Sequence, residues 1–246
     1  MRVLAIGAHP DDVEILCGGT LGLYARAGHD VTIAIATNGN VGSPTLGRDE
    51  IAAVRRAEAR AACGLFGAAL IWMDFDDEWL FNERATRTRF IDAIREARPD
   101  VMFVHNPADY HPDHRNAGQI ALDARIPSAI RLVETSLPAL TDLPHAFLMD
   151  TLGGLEFEPD VYVDIAETLP LKGQALAQHA SQDDWLQHLY GMGYQQFIVE
   201  QAEQRGREAG LRYAEGFRVV GTYPLRPSLH LLPNAHEVPD AHERSQ

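Results

Sequence analysis

Apolar residues open the chain as a short unbroken run, Val3-Leu4-Ala5-Ile6, and then recur every three or four positions over the next two dozen residues. The run predicts a buried strand over 2–7, and the longer period a helix over 12–28 closed by Gly28. The same two patterns then alternate. Asp30–Thr37 predicts a second strand, and the Ala/Arg/Glu-rich stretch 48–66 a helix ending at Gly67. Ala69–Met73 predicts a third strand, 83–98 a helix stopped by Pro99, and Asp100–His105 a fourth strand. Strand and helix in this order predict an α/β fold, a Rossmann-like, mostly parallel sheet with helices on both faces. Right-handed crossovers then bring the C-terminal ends of the strands to one edge, where open α/β sheets bind ligands.

The second half is less regular. Phe147–Leu152 and Val161–Ile165 predict further strands, 166–180 and 194–209 helices, and Phe217–Tyr223 a last strand. From Pro224 onward the chain holds four prolines and no sustained period. No linker divides what precedes it, so 1–223 is expected to form a single domain and 224–246 an extended arm.

Composition narrows the class. A chain of 246 residues buries a large core without disulfides, and its two cysteines, Cys17 and Cys63, form no Cys-x-x-Cys pair. A thiolate zinc knuckle is thereby excluded, and both cysteines are expected to act as small buried apolar residues. The net charge of −14, with no Lys/Arg cluster, argues against nucleic acid or an anionic lipid surface as a partner. No apolar run approaches the ~18 residues that would span a membrane. The N-terminal apolar stretch is too short for a signal-peptide core, so a cytoplasmic protein without membrane insertion is expected.

Chemistry concentrates at two places. His9-Pro10-Asp11-Asp12 directly follows the first strand, and His111-Pro112-Asp113-His114 comes just after the fourth. Both fall on the same predicted edge and can converge on one metal. Imidazole nitrogen with carboxylate oxygen suits zinc and its neighbours. A plainer reading competes for each motif. Asp11 and Glu14 stand where a helix N-cap and its capping box belong, although that leaves His9 unexplained. His111 and His114, three apart, share one side of a helical turn or tight loop, or are surface histidines of a polar loop. Taken together, three protein ligands would leave an open position on the metal, with unligated Asp and His beside it as base and donor. That inventory suits metal-assisted hydrolysis.

Ala8-His9-Pro10-Asp11-Asp12, Gly18-Gly19-Thr20 and His111-Pro112-Asp113-His114, in this order, resemble the LmbE-like (PIG-L) family of zinc-dependent N-acetylglucosamine deacetylases. Thr37-Asn38-Gly39, Arg55 with Glu58, His179-x-Ser181-Gln182 and Tyr213-Ala214-Glu215-Gly216-Phe217-Arg218 add to the likeness, which extends over residues 2–222. The resemblance implies that His9, Asp12 and His114 hold one Zn²⁺, a set that Fe²⁺ or Co²⁺ could also occupy. It makes Asp11 the general base and His111, as imidazolium, the donor to the oxyanion, with Asp113 tuning the charge of His111. Arg55, Asn38 and His179 would bind substrate. The implied reaction frees acetate from a small N-acetylglucosamine-containing molecule. Hydrolysis of another amide, on a thiol conjugate or an antibiotic precursor, is the alternative, and a metal-binding protein without activity a third. Relatives often assemble, which makes a homo-oligomer an expectation as well. Two departures stand out. Val13 separates the Asp pair from Glu14, and Asn40 stands where an acidic residue is frequent, a change expected on the substrate side.

Other features have plainer readings. Asp74-Phe75-Asp76 could hold a metal and a sugar nucleotide in a glycosyltransferase, but is expected to be an acidic loop at the substrate mouth. Trp72, Trp79 and Phe81 are expected to be core or loop anchors. His105 is placed to support the site from behind. Gly7-Ala8-His9 lacks the dinucleotide Gly-x-Gly-x-x-Gly pattern, so no nicotinamide cofactor is expected.

Overall fold

Strand β1 (Arg2–Gly7) is buried on both faces beyond its first residue, because it runs through the middle of the sheet. Val3 and Ala5 enter one core and Leu4 and Ile6 the other. This is the two-residue period of a strand covered on both sides. In this computed structural model, residues 1–183, 187, 191, 193–223 and 226–238 are described. β1 pairs in parallel with β2 (Asp30–Thr37) and β4 (Val101–Val104). β3 (Ala69–Phe75) adds outside β2, and β5 (His145–Met149) outside β4, both parallel. β7 (Ala214–Val219), β6 (Val161–Asp164) and β8 (Ala235–Glu237) complete the order β3-β2-β1-β4-β5-β7-β6-β8 with antiparallel pairings. The sheet is therefore mostly parallel where the site motifs lie and antiparallel beyond β5.

Helices α1 (Asp12–Arg26), α2 (Arg48–Phe66), α5 (Leu169–Leu176) and α6 (Tyr194–Ala209) contribute to the core on the Val3 face. α3 (Arg84–Ala97) and α4 (Pro112–Ser128) cover the Leu4 face. α1 is buried along almost its whole length, and its small residues show why. A Cβ on Gly19 would meet Ile165 at 2.7 Å. The Glu215 carboxylate from β7 reaches the same turn and accepts the amides of Gly19 and Thr20 at 2.8 and 2.7 Å. It also accepts the Thr20 hydroxyl at 2.6 Å and pairs with Lys172 Nζ at 2.7 Å. Among the described residues, no helix is long and apolar enough to cross a membrane.

Several elements differ from their sequence-based boundaries. The helix over Pro112–Ser128 was not expected, since Tyr-His-Pro is an unusual opening. Pro112 at the first helical position loses no hydrogen bond there, because that amide has no intrahelical partner in any case. The motif is thus a helix start and not a polar surface loop. The last strand covers Ala214–Val219 rather than Phe217–Tyr223, since its partners lie on β5 and β6. β5 begins at His145, opposite Val101, and ends before the short turn at Leu152–Gly154. The tail is more than an extended arm: Ala235–Glu237 pairs with β6, and Leu231 accepts the Tyr24 hydroxyl. Residues 224, 225 and 239–246 of that tail lie outside the described residues.

Candidate metal centre

The β1–α1 junction carries the first motif. Asp11 is the N-cap of α1, but its side chain makes no cap hydrogen bond, and Glu14 turns instead towards His179, 3.4 Å away. The capping reading of these acids therefore fails. Asp11 holds φ 119, a backbone region that costs about 1–3 kcal/mol for a residue with a Cβ. The Asp12 carboxylate folds back to accept the His9 amide at 2.7 Å, which fixes both residues in one tight turn.

The second motif starts α4. Gly118, one turn past His114, packs against the carbonyl of His105, and a Cβ there would collide with it. That close approach lays the His114 ring on the His105 ring, with centroids 4.3 Å apart and planes 15° from parallel. The two motifs then meet. His9 Nδ1 lies 3.3 Å from His114 Nε2 and 3.4 Å from Asp12 Oδ2, and His114 Nε2 lies 3.2 Å from Asp12 Oδ1. A tetrahedral ion with N and O ligands at about 2.0–2.2 Å places its donors roughly 3.3 Å apart. The donor set therefore fits a divalent cation. Among the described residues the side chains able to hold an ion converge as His9 with His111 and His114, Asp12 with His105 and His114, and His9 with Asp77 and Asp113, so the three groups overlap at His9 and His114.

Carboxylates stand behind the histidines. Asp77 Oδ1 lies 3.0 Å from His9 Nε2, and Asp109 Oδ1 lies 3.2 Å from His114 Nδ1. Each stands on the ring nitrogen turned away from the cluster, the position from which a carboxylate orients a metal-ligating imidazole. Burial would push the Asp12 carboxyl up, but His114, His105 and His9 hold it well below the usual carboxylate range. Asp11, behind it, goes the other way. Burial raises its pKa, and Arg55 only partly opposes the shift.

His111 caps α4 with its ring, Nδ1 accepting the Asp113 amide at 3.2 Å. Burial, with His9 and His114 nearby, pushes its pKa down. With Nδ1 taken up by the helix start, Nε2 is the ring nitrogen left to face outward, 3.4 Å from Glu78 Oε1. Asp113 departs from expectation. Its carboxylate accepts the amides of Glu78 and Leu80 at 2.8 and 3.3 Å and lies 3.5 Å from His9 Nε2. Its carboxylate contacts are therefore with His9 and the loop after β3, while its backbone amide is what meets His111.

The remaining predicted residues divide. Arg55 is not on a solvated helix face. It is buried, donating to the Pro10 carbonyl at 2.9 Å and lying 3.4 Å from Asp11 Oδ2. His179 is wholly buried against Glu14, which removes it from any substrate-facing surface. Asn38 holds its own loop, accepting the Asn40 amide and donating to Asp74. Asn40 ties that loop to the next, with its amide group on Asp76 at 2.7 Å. Trp79 and Phe81 are exposed and so are not core anchors, whereas His105 stands behind Asp12 as expected. Sequence reasoning missed Asp109 and Tyr194 and did not single out Asp77. Asp109 stands two residues before His111, close enough to have been read as part of that motif. Tyr194, whose hydroxyl donates to Asp11 Oδ2, carried no signal beyond a place in a helical pattern.

Several known proteins are similar to this chain over most of its length. The family model for GlcNAc-PI de-N-acetylase (PIG-L) matches residues 4–125. The diacetylchitobiose deacetylase of Thermococcus kodakarensis is 29% identical, over 89% of this chain and 83% of its own. The solved diacetylchitobiose deacetylase of Pyrococcus horikoshii superposes with a TM-score of 0.78 at 29% identity, covering 89% of this chain and 83% of that one. A probable N-acetyl-α-D-glucosaminyl L-malate deacetylase of Bacillus cereus is 32% identical, over 74% of this chain and 84% of its own. The 4-oxalmesaconate hydratase of Pseudomonas putida is 27% identical over 88% of each chain.

Proposed function

We propose, for a chain that belongs to the PIG-L (LmbE-like) family, that it hydrolyses the N-acetyl group of a small N-acetylglucosamine-containing molecule to acetate and a free amino sugar. One observation carries the reading: His9 Nδ1 and His114 Nε2 lie 3.3 Å apart, and the Asp12 carboxylate reaches them with one oxygen each, Oδ2 at 3.4 Å and Oδ1 at 3.2 Å, while the next carboxylate, Asp11, is turned to Arg55 and Tyr194. We assign those three as ligands of one divalent ion, Zn²⁺ by its preference for such a mixed N/O set, with Fe²⁺ or Co²⁺ able to take its place. When bound, such an ion polarises the acetyl carbonyl and lowers the pKa of water to about 7.

The chain's own residues supply the rest. Asp11 takes a proton from the attacking water and delivers it to the departing amine, which is a poor leaving group until protonated. His111 donates from Nε2 towards the developing oxyanion, its other nitrogen being occupied by the Asp113 amide. Arg55, packed between Asp11 and Asp77, and Asn38 on the neighbouring loop are the substrate-side assignments.

A second reading draws on the hydratase relative, which matches 88% of both chains. Adding water to a conjugated double bond calls on the same base and a similar cation. The test is acetate release by the metal-loaded protein from N-acetylglucosamine, its chitobiose, and N-acetylglucosaminyl conjugates of inositol and malate. Release from at least one substrate, lost in Asp11→Asn, is expected. No acetate from any of them, with turnover of 4-oxalmesaconate, would replace the first reading with the second.

A further inference from the structure

Tyr194 reaches the site from far along the chain, 183 residues after Asp11. It is the first residue of α6, only 2% exposed, and its ring belongs to the core on the α1 face. Its backbone amide is held by Asp183 Oδ1 at 2.6 Å. Core packing at the ring and an anchor at the backbone leave the hydroxyl little freedom. That hydroxyl donates to Asp11 Oδ2, and Arg55 Nη2 addresses the same oxygen from 3.4 Å. Among the described residues, no donor addresses Oδ1. Burial beside Asp11 pushes the Tyr194 phenol well up, so it remains a donor at any working pH.

We propose that Tyr194 is a positioning residue for the base, holding Oδ2 of Asp11 together with Arg55 so that Oδ1 alone receives the proton. The inference rests on the reading of Asp11 as that base. A carboxylate free to rotate presents either oxygen and spends part of its time misaligned, and a base must meet its proton within hydrogen-bond reach and alignment. Two donors on one oxygen remove that freedom before substrate arrives. In the step itself, the water O–H bond breaks, its electron pair stays on oxygen as that oxygen bonds to the carbonyl carbon, and the proton moves to Oδ1. On collapse the same proton passes from Oδ1 to the amine nitrogen as the C–N bond breaks. Tyr194 keeps its proton throughout.

The test compares Tyr194→Phe, Asp11→Asn and the double variant as metal-loaded proteins. Removing a hydrogen bond to a charged group should lower kcat about tenfold to a hundredfold, with KM and metal content unchanged. In the Asp11→Asn background the same change should alter the residual rate by less than about twofold, because no base remains to be positioned. An equal loss in both backgrounds would mean a purely structural role and overturn the proposal, as would an unchanged kcat in Tyr194→Phe. Introducing 3-fluorotyrosine at position 194 retains the hydroxyl and should retain the rate. Its ¹⁹F resonance should also move on Asp11→Asn, a readout that requires no turnover. An unmoved resonance overturns the contact whatever the reaction, whereas absent acetate release in the wild type counts only against the deacetylase reading.

Discussion

Helix α1 carries two buried clusters of charge, one at its first turn and one at its middle, and they are built on opposite terms. In the middle, Glu215 accepts from Gly19, from Thr20 twice and from Lys172, and neither it nor Lys172 has a buried polar atom left without a partner. At the first turn and around it, Asp109 Oδ2, Asn106 Nδ2, His105 Nδ1, Glu14 Oε2 and Arg55 Nε all lack one among the described residues. Two imidazole nitrogens there face each other at 3.3 Å across a carboxylate. A buried polar group without a partner costs about 1–3 kcal/mol, so a native fold keeps such groups together only for a purpose. The mid-helix cluster is saturated and holds the helix to the sheet. The first-turn cluster is left open, as a place that receives a cation and a substrate must be. Burial and charge are alike in both, so completeness of hydrogen bonding is what separates scaffold from chemistry here.

Several substitutions can break or sharpen that contrast. Asp11→Asn should lose about 10²–10⁴ in rate while keeping its metal, the span expected for a general base. Turnover like that of the wild type would remove Asp11 from the role. Lys172→Met leaves Glu215 buried without its cation and should cost about 3–5 kcal/mol, a fall in Tm of roughly 6–20 °C. Metal content and kcat of the folded protein should stay as they were; their loss would show that the two clusters are not separate. Asp77→Asn and Asp109→Asn should each weaken metal binding about 10–100-fold by competition with a chelator, since each orients one histidine. Unaltered affinity in both would deny them that role. Gly118→Ala forces a Cβ onto the His105 carbonyl and should destabilise by about 1–3 kcal/mol, with α4 displaced and metal affinity reduced in step. A stable variant with full affinity would mean that the close helix contact is not what sets His114.

The contrast also explains what could be read from the sequence. β1, β2 and the run of strand and helix to β4 were legible because central parallel strands are short apolar runs and their helices carry the longer period. His9, Asp12 and His114 were legible because each motif is local and chemically unusual. α4 was hidden by its own first residues, since a proline and two histidines read as a loop until the proline is placed at the first helical position. Asp77, Asp109 and Tyr194 come from the loop after β3, the loop before α4 and the start of α6. Only the fold brings them to the same few ångströms, and an aspartate in an acidic loop or a tyrosine in a helix looks ordinary until then. Lys172 and Glu215 were obscured for the same reason. The single lysine of the chain is buried against a carboxylate 43 residues away, a pairing that no local pattern indicates.

The most direct test of the contrast is the metal content of the wild type, His114→Ala and Lys172→Met after dialysis against a low concentration of Zn²⁺, measured by elemental analysis. One ion per chain in the wild type and in Lys172→Met, with none in His114→Ala, is the predicted result. Equal metal in all three, or a wild type that binds none, would contradict the assignment of the open cluster as a metal centre.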